Sequence, residues 1–222
     1  MKKYKLTKTT KEVNGIKLYQ IEALKDFGNI KKGEKGGWIE KEYNLSQEGN
    51  AWVYDNAQVF NNAQVFDNAR VYGNAWVSGN AWVYGNAQVS ENAQVSGNAR
   101  ISGNAQVYGD AQVSGNAWVF DNTQVYGDAQ VSGNARIYGD ARIYGNARVF
   151  GDAQVYGKLK LINGYFYHTK QKSEIIEKIE NDENTETLCS NPKLGEEEKP
   201  KGKKVRIRLA EGNIAEGEII ED

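Results

Sequence analysis

The sequence predicts an all-β chain: a left-handed parallel β-helix, a triangular solenoid of about six 18-residue coils, with an N-terminal β cap and a small C-terminal α/β appendage. Three observations carry this. Eighteen hexads run from Gly49 to Tyr156 without insertion or deletion. Within each, a small and a β-branched residue alternate with polar or aromatic ones, as in Gly85-Asn86-Ala87-Gln88-Val89-Ser90. A Gly-Asn, Asp-Asn or Gly-Asp pair separates most neighbouring hexads.

The period of two puts Ala51, Val53, Ala57 and Val59, and their successors, on the inward side of short strands. The turn pairs are the residue types that best tolerate positive φ, so a corner arrives every six residues. Three corners close a coil, and only Ala with Val or Ile is compact enough to fill so narrow an interior. Thr123 is the single exception at the Ala position. Stacked coils pair their strands in parallel at about 4.8 Å.

Residues 1–48 read as an N-terminal β cap and an irregular first coil: two strands around Asn14-Gly15, with Ile39 and Leu45 inward. The β-helix is expected over 49–164. Leu159 and Leu161 keep the inward register, and Tyr165 and Tyr167 are then expected to set bulky groups where Ala and Val stood, which ends the coil. Residues 165–182 read as a capping segment and a short helix over Ser173–Glu180, opened by a serine cap. A polar linker over 183–203 precedes a β-hairpin over 204–222.

The net charge of −1 is spread evenly. Residues 1–48 hold 11 Lys against 7 acids, 49–156 hold 5 Arg against 8 acids, and 157–222 hold 12 bases against 14 acids. No block has the concentrated positive face of a nucleic-acid binder, so direct nucleic-acid binding is not expected. The single cysteine, Cys189, permits no intramolecular disulfide, which fits a reducing cytoplasm. No stretch approaches the roughly 20 apolar residues of a membrane span, so a cytoplasmic protein of a bacterial host cell is expected.

The hexad resembles the hexapeptide-repeat family of left-handed β-helices, in which an aliphatic residue is followed four positions later by a small one. That family includes acyltransferases, γ-type carbonic anhydrases and non-catalytic proteins, so function rests on the outer faces. Gly36-Gly37-Trp38-Ile39-Glu40, Asn44-Leu45-Ser46 and Gly49-Asn50-Ala51-Trp52-Val53 also resemble the opening of hexapeptide-repeat proteins encoded by bacteriophages and prophages. The resemblance implies an accessory role such as inhibition of a host defence nuclease, including an anti-CRISPR role.

Family acyltransferases rely on a histidine, and the hexads contain none; His168 follows the last coil and is the one candidate base of a trimeric acyltransferase. Zinc bound through three histidines, as in the γ-type carbonic anhydrases, is out of reach of one chain with one histidine. The turn acids Asp110, Asp128, Asp140 and Asp152 are read as corner residues, because a calcium site wants several converging oxygens. No metal or cofactor is expected.

At a period of 18 the outward residues sort into three faces. The first carries Tyr54, Tyr72, Tyr108, Tyr126 and Tyr144, broken by Ser90, beside Trp52, Arg70, Gln88, Gln106, Gln124 and Arg142. Gln and Ser fill the middle of the second. The third alternates Trp82, Arg100, Trp118 and Arg136, flanked by Tyr84, Ser102, Phe120 and Tyr138. Trp, Tyr and Arg are the residues most enriched at interface hot spots. Trp82, Tyr84, Arg100, Trp118, Phe120, Arg136 and Tyr138 are therefore the expected contact set for a protein partner, a host nuclease or nucleoprotein complex. A virion-associated rod or a homo-oligomer is the structural alternative.

Overall fold

The computed structural model describes residues 2–166, 203–208 and 214–219. Residues 38–166 form the expected all-β parallel solenoid. From Trp52 to Leu161 each coil strand is two residues long, an outward residue followed by an inward Val, Ile or Leu, and pairs in parallel with its equivalents one coil away. The pairing sorts into three sheets, of ten, seven and six strands. The hexads supply six turns, and the 7-stranded sheet counts seven. The extra turn arises because residues at both ends also join the ladder. Trp38-Ile39 pairs with Gln58-Val59 and Leu45 bridges Val65 at one end, and Lys160–Leu161 pairs with Arg142–Ile143 at the other.

Every inward Ala from Ala51 to Ala147, and every Val or Ile from Val53 to Val149, is at most 1% exposed. The core is thus a single column of methyl groups, with its backbone groups satisfied between coils, as when the Gln88 N–H donates to Ala105 O at 2.9 Å. Thr123 fits the column because its hydroxyl donates to Phe120 O at 2.6 Å. The Gly-Asn corners place the glycine at the first central turn position with positive φ, 68° at Gly85, as a type II′ turn requires. A Cβ at Gly79 would lie 2.8 Å from Gly97 O in the next coil. Where Asp55, Asp67, Glu91 or Asp121 takes that position at positive φ, its carboxylate accepts the N–H of the glycine one coil on, at 2.9–3.2 Å.

The second corner residues form ladders. Asn50, Asn68, Asn86, Asn104 and Asn122 each donate from Nδ2 to Oδ1 of the next, and the series ends on Asp140. Asn62, Asn80, Asn98, Asn116 and Asn134 do the same and end on Asp152. Asn74 and Asn92 lead to Asp110. Asp110, Asp140 and Asp152 are thereby explained as acceptors at the ends of these ladders. Among the described residues, no cluster of three or more His, Cys, Asp or Glu could hold a metal ion.

The N-terminal end is closed by β1 (Tyr4–Val13) and β2 (Ile16–Ala23), an antiparallel hairpin turning at Asn14-Gly15, which continues through β3 (Lys35–Ile39) into the largest sheet. Trp52, expected among the outward residues of the first face, is fully buried beneath this cap, with Tyr4 and Phe27 edge-on to it at 6.1 and 5.3 Å. Gly36 passes so close that a Cβ would sit 2.7 Å from the indole. Lys3 is also buried, and its ammonium donates to the carbonyls of Glu48 and Ala51 at 3.1 and 2.9 Å.

At the other end the ladder corrects the expected register. Tyr165–Phe166 pairs with Arg148–Val149, an offset of 17 rather than 18. Gly164 takes the Ala position, with its carbonyl accepting from the Arg148 N–H, and Phe166 rather than Tyr165 turns inward. One residue fewer lets a large ring close the column: Gly164, at φ 101°, gives up the volume that Phe166 fills. The C-terminal strands Lys203–Arg208 and Ile214–Ile219 pair antiparallel, while the expected helix over Ser173–Glu180, nearly all of the linker, and His168 lie outside the described residues.

Candidate functional site

The third face is built by the 6-stranded sheet, whose register places Gln64, Trp82, Arg100, Trp118, Arg136 and Gln154 in one column. Two-residue strands hold each outward side chain directly over its neighbour one coil away, so the sequence spacing of 18 becomes a strand spacing of about 4.8 Å. The Arg100 guanidinium lies 5.0 Å from the Trp82 ring and 4.9 Å from the Trp118 ring, and Arg136 lies 5.4 Å from Trp118. Trp82 and Trp118 remain 38% and 37% exposed. The column is therefore an alternation of planar cations and indoles, open to solvent along its outer edge.

A second column lies beside it. Tyr84 stacks on Phe66 at 5.0 Å, and Phe120 stacks on Tyr138 at 5.1 Å, with planes within 6°. Tyr156 extends the second stack at 5.0 Å from Tyr138. All seven residues expected at the contact face thus lie together. Phe66 and Tyr156, absent from that set, are part of the same surface; their spacing of 18 from Tyr84 and Tyr138 was the available signal. Phe66 also lines a hollow of about 420 Å³ with Tyr43, Leu45, Gln47 and Gln64, where the short turn Glu42–Asn44 swings out from the rod.

The outward column of this face carries two cations, Arg100 and Arg136, and no carboxylate of its own. Among the described residues, the ion pairs lie in the N-terminal cap and first coil, such as Lys2–Glu42 at 2.7 Å and Lys5–Glu22 at 3.0 Å. Arg100 and Arg136 have no carboxylate within ion-pair distance there. On the first face Tyr108, Tyr126 and Tyr144 stack at 4.8 and 4.9 Å, and burial pushes the hydroxyls of Tyr108 and Tyr126 above the usual tyrosine value. Such shifts keep these phenols neutral and offer no general base.

The repeats have known counterparts. A family model described as the YdcK beta solenoid repeat matches residues 63–79, 75–91, 93–110, 111–127, 129–142 and 141–157. A curated relative, the uncharacterized acetyltransferase YdcK of Escherichia coli (strain K12), is 41% identical over 63 residues, covering 25% of this chain and 19% of that protein. The chain therefore matches about a fifth of its relative's length. Together with the stacked coils, these matches make the chain a β-solenoid repeat protein, related over a short stretch to an uncharacterised acetyltransferase.

Proposed function

We propose that the solenoid is a non-enzymatic binding rod that presents its third face to another protein. The observation that carries this is the column Trp82, Arg100, Trp118 and Arg136, in which two large indoles stay more than a third exposed beside cations that lack carboxylate partners among the described residues. Stacking between coils contributes to the sheet itself, with exposed cation–π contacts worth about 0.5–1 kcal/mol each. Burial of the outer ring edges by a partner would add the hot-spot contribution that Trp and Arg supply at interfaces. The resemblance to phage-encoded proteins makes a host defence nuclease the partner to test first. The test is capture of bacterial host protein by the tagged chain beside a Trp82→Ala/Trp118→Ala variant. A partner held by the wild type and lost in the variant supports the reading, and equal capture by both removes this face from it.

A second reading is favoured by the relative's name: an acyltransferase with His168 as base. It predicts consumption of acetyl-CoA that His168→Ala abolishes, and the absence of turnover across a panel of amine acceptors would retire it.

A further inference from the structure

The ring column beside Trp82 and Trp118 has one coil with no ring. Phe66 and Tyr84 form one stack, Phe120, Tyr138 and Tyr156 form another, and between them stands Ser102, half-exposed. Tyr84 and Phe120 are two coils apart, about 9.6 Å at strand spacing. A planar group midway would lie about 4.8 Å from each ring, the spacing at which aromatic rings stack. The neighbouring column supplies the precedent, because the same two-coil gap between Trp82 and Trp118 is filled by a planar group, the Arg100 guanidinium at 5.0 and 4.9 Å.

The first face has a similar interruption at Ser90, but that one is closed. Ser90 is only 5% exposed, Tyr72 is turned 87° from Tyr54, and its hydroxyl donates to Gln88 Oε1 at 3.1 Å. At Ser102 the flanking rings instead stay stacked on their outer neighbours, so each leaves one face turned toward the gap.

Resting on the protein-binding reading, we propose that the gap over Ser102 is a slot for one aromatic side chain of a protein partner, sandwiched between Tyr84 and Phe120 while an adjacent carboxylate of the partner pairs with Arg100. The charge balance selects this occupant. Arg100 and Arg136 lack acidic partners among the described residues, which suits an acidic segment. Two arginines on this column are far fewer than the run of cations that a phosphate backbone engages, so a single carboxylate contact fits and a nucleic acid does not.

The test uses the full chain and the peptide acetyl-Asp-Phe-Asp-amide, followed by proton NMR. A ring held between two parallel rings is shielded from both sides, so the peptide's phenylalanine protons move upfield and saturate with protein. Ser102→Tyr completes the ring column and is expected to weaken binding at least tenfold, whereas Ser102→Ala leaves it unchanged. A neutral acetyl-Gly-Phe-Gly-amide is expected to bind roughly three- to fivefold more weakly, the scale of an exposed ion pair. No upfield shift, an equal shift with Ser102→Tyr, or preferential binding of hexathymidine over the peptide each overturns the proposal. Partner capture separates the two readings: loss in Trp82→Ala/Trp118→Ala with full retention in Ser102→Tyr would overturn the slot and leave the binding face standing.

Discussion

Asn134 donates from Nδ2 to Oδ1 of Asp152 at 2.8 Å, the last of five equivalent bonds that begin at Asn62. At the head of the series, Lys41 Nζ donates to Asn62 Oδ1 at 3.3 Å. All the amides point the same way. This ladder has a direction, starting on the Lys41 cation and ending on the Asp152 anion, and a carboxylate fits at its end because it accepts and cannot donate.

Asp and Asn are therefore not interchangeable along this ladder. Asn98→Asp would still accept from Asn80 but would set its carboxylate against Asn116 Oδ1, with an expected cost of about 0.5–1.5 kcal/mol. Asp152→Asn is expected to cost less than half of that. Urea midpoints of the two variants check the asymmetry, and equal losses would refute it.

Two kinds of tryptophan should respond differently. Trp52→Ala empties a fully buried site under the cap and is expected to cost about 3–5 kcal/mol. Trp52→Phe should be far milder, since the indole Nε1 has no hydrogen-bond partner to lose among the described residues. Trp118→Ala removes exposed contacts to Arg100 and Arg136 and is expected to cost about 1–2 kcal/mol, leaving the coil intact. Thermal unfolding by circular dichroism ranks the three.

Lys3 gives the cap a pH signature. Burial, reinforced by the nearby Lys25 charge, pulls its ammonium down to about 8 from the ordinary lysine value of 10.5. Between those values the unfolded chain holds a proton that the folded chain has released, so this lysine's contribution raises stability as pH climbs through that window. The slope is at most about 1.4 kcal/mol per pH unit. Below pH 8 both states are protonated and the full cost of the buried charge is present. The difference in unfolding free energy between wild type and Lys3→Met, measured from pH 7 to 10, should shift toward the wild type as pH rises. A flat difference would contradict this.

The closing coil turns on Gly164. Gly164→Ala places a Cβ on a residue at φ 101°, a conformation that side chains rarely adopt, and should cost about 1–2 kcal/mol. The loss should appear as local opening in hydrogen exchange around Phe150 and Phe166, while the amides of the central coils keep their protection.

Much of this molecule was legible as text. The strict hexads of 49–156 left no freedom in register, because shifting a strand by one residue would turn every Ala and Val outward. The three faces, and the juxtaposition of Trp82 with Arg100, follow from counting by 18. Where counting failed, a contact distant in sequence had overridden the local pattern. Trp52 keeps the outward phase of its hexad, yet Tyr4 and Phe27 cover it from almost fifty and twenty-five residues upstream. Phe166 sits inside because Gly164 removes a side chain from its coil, and a period read from the preceding repeats carries no sign of one residue lost. The difference between Ser90 and Ser102 was equally hidden: both interrupt a ring column, and only the turn of Tyr72 toward Gln88 closes one of them.

The near-identity of the coils also sets how such a gene tolerates editing. Removing 18 codons from the middle, 91–108 for instance, would splice one coil onto its equivalent and yield a shorter rod with every column still aligned. Removing six would leave the interior equally well filled but turn everything downstream by a third of a revolution, so that Trp118 would stand over the glutamines of another side. The interior reads the chain in sixes while the surface reads it in eighteens. Recombination between repeats can therefore redraw the outside of this protein while leaving its inside untouched.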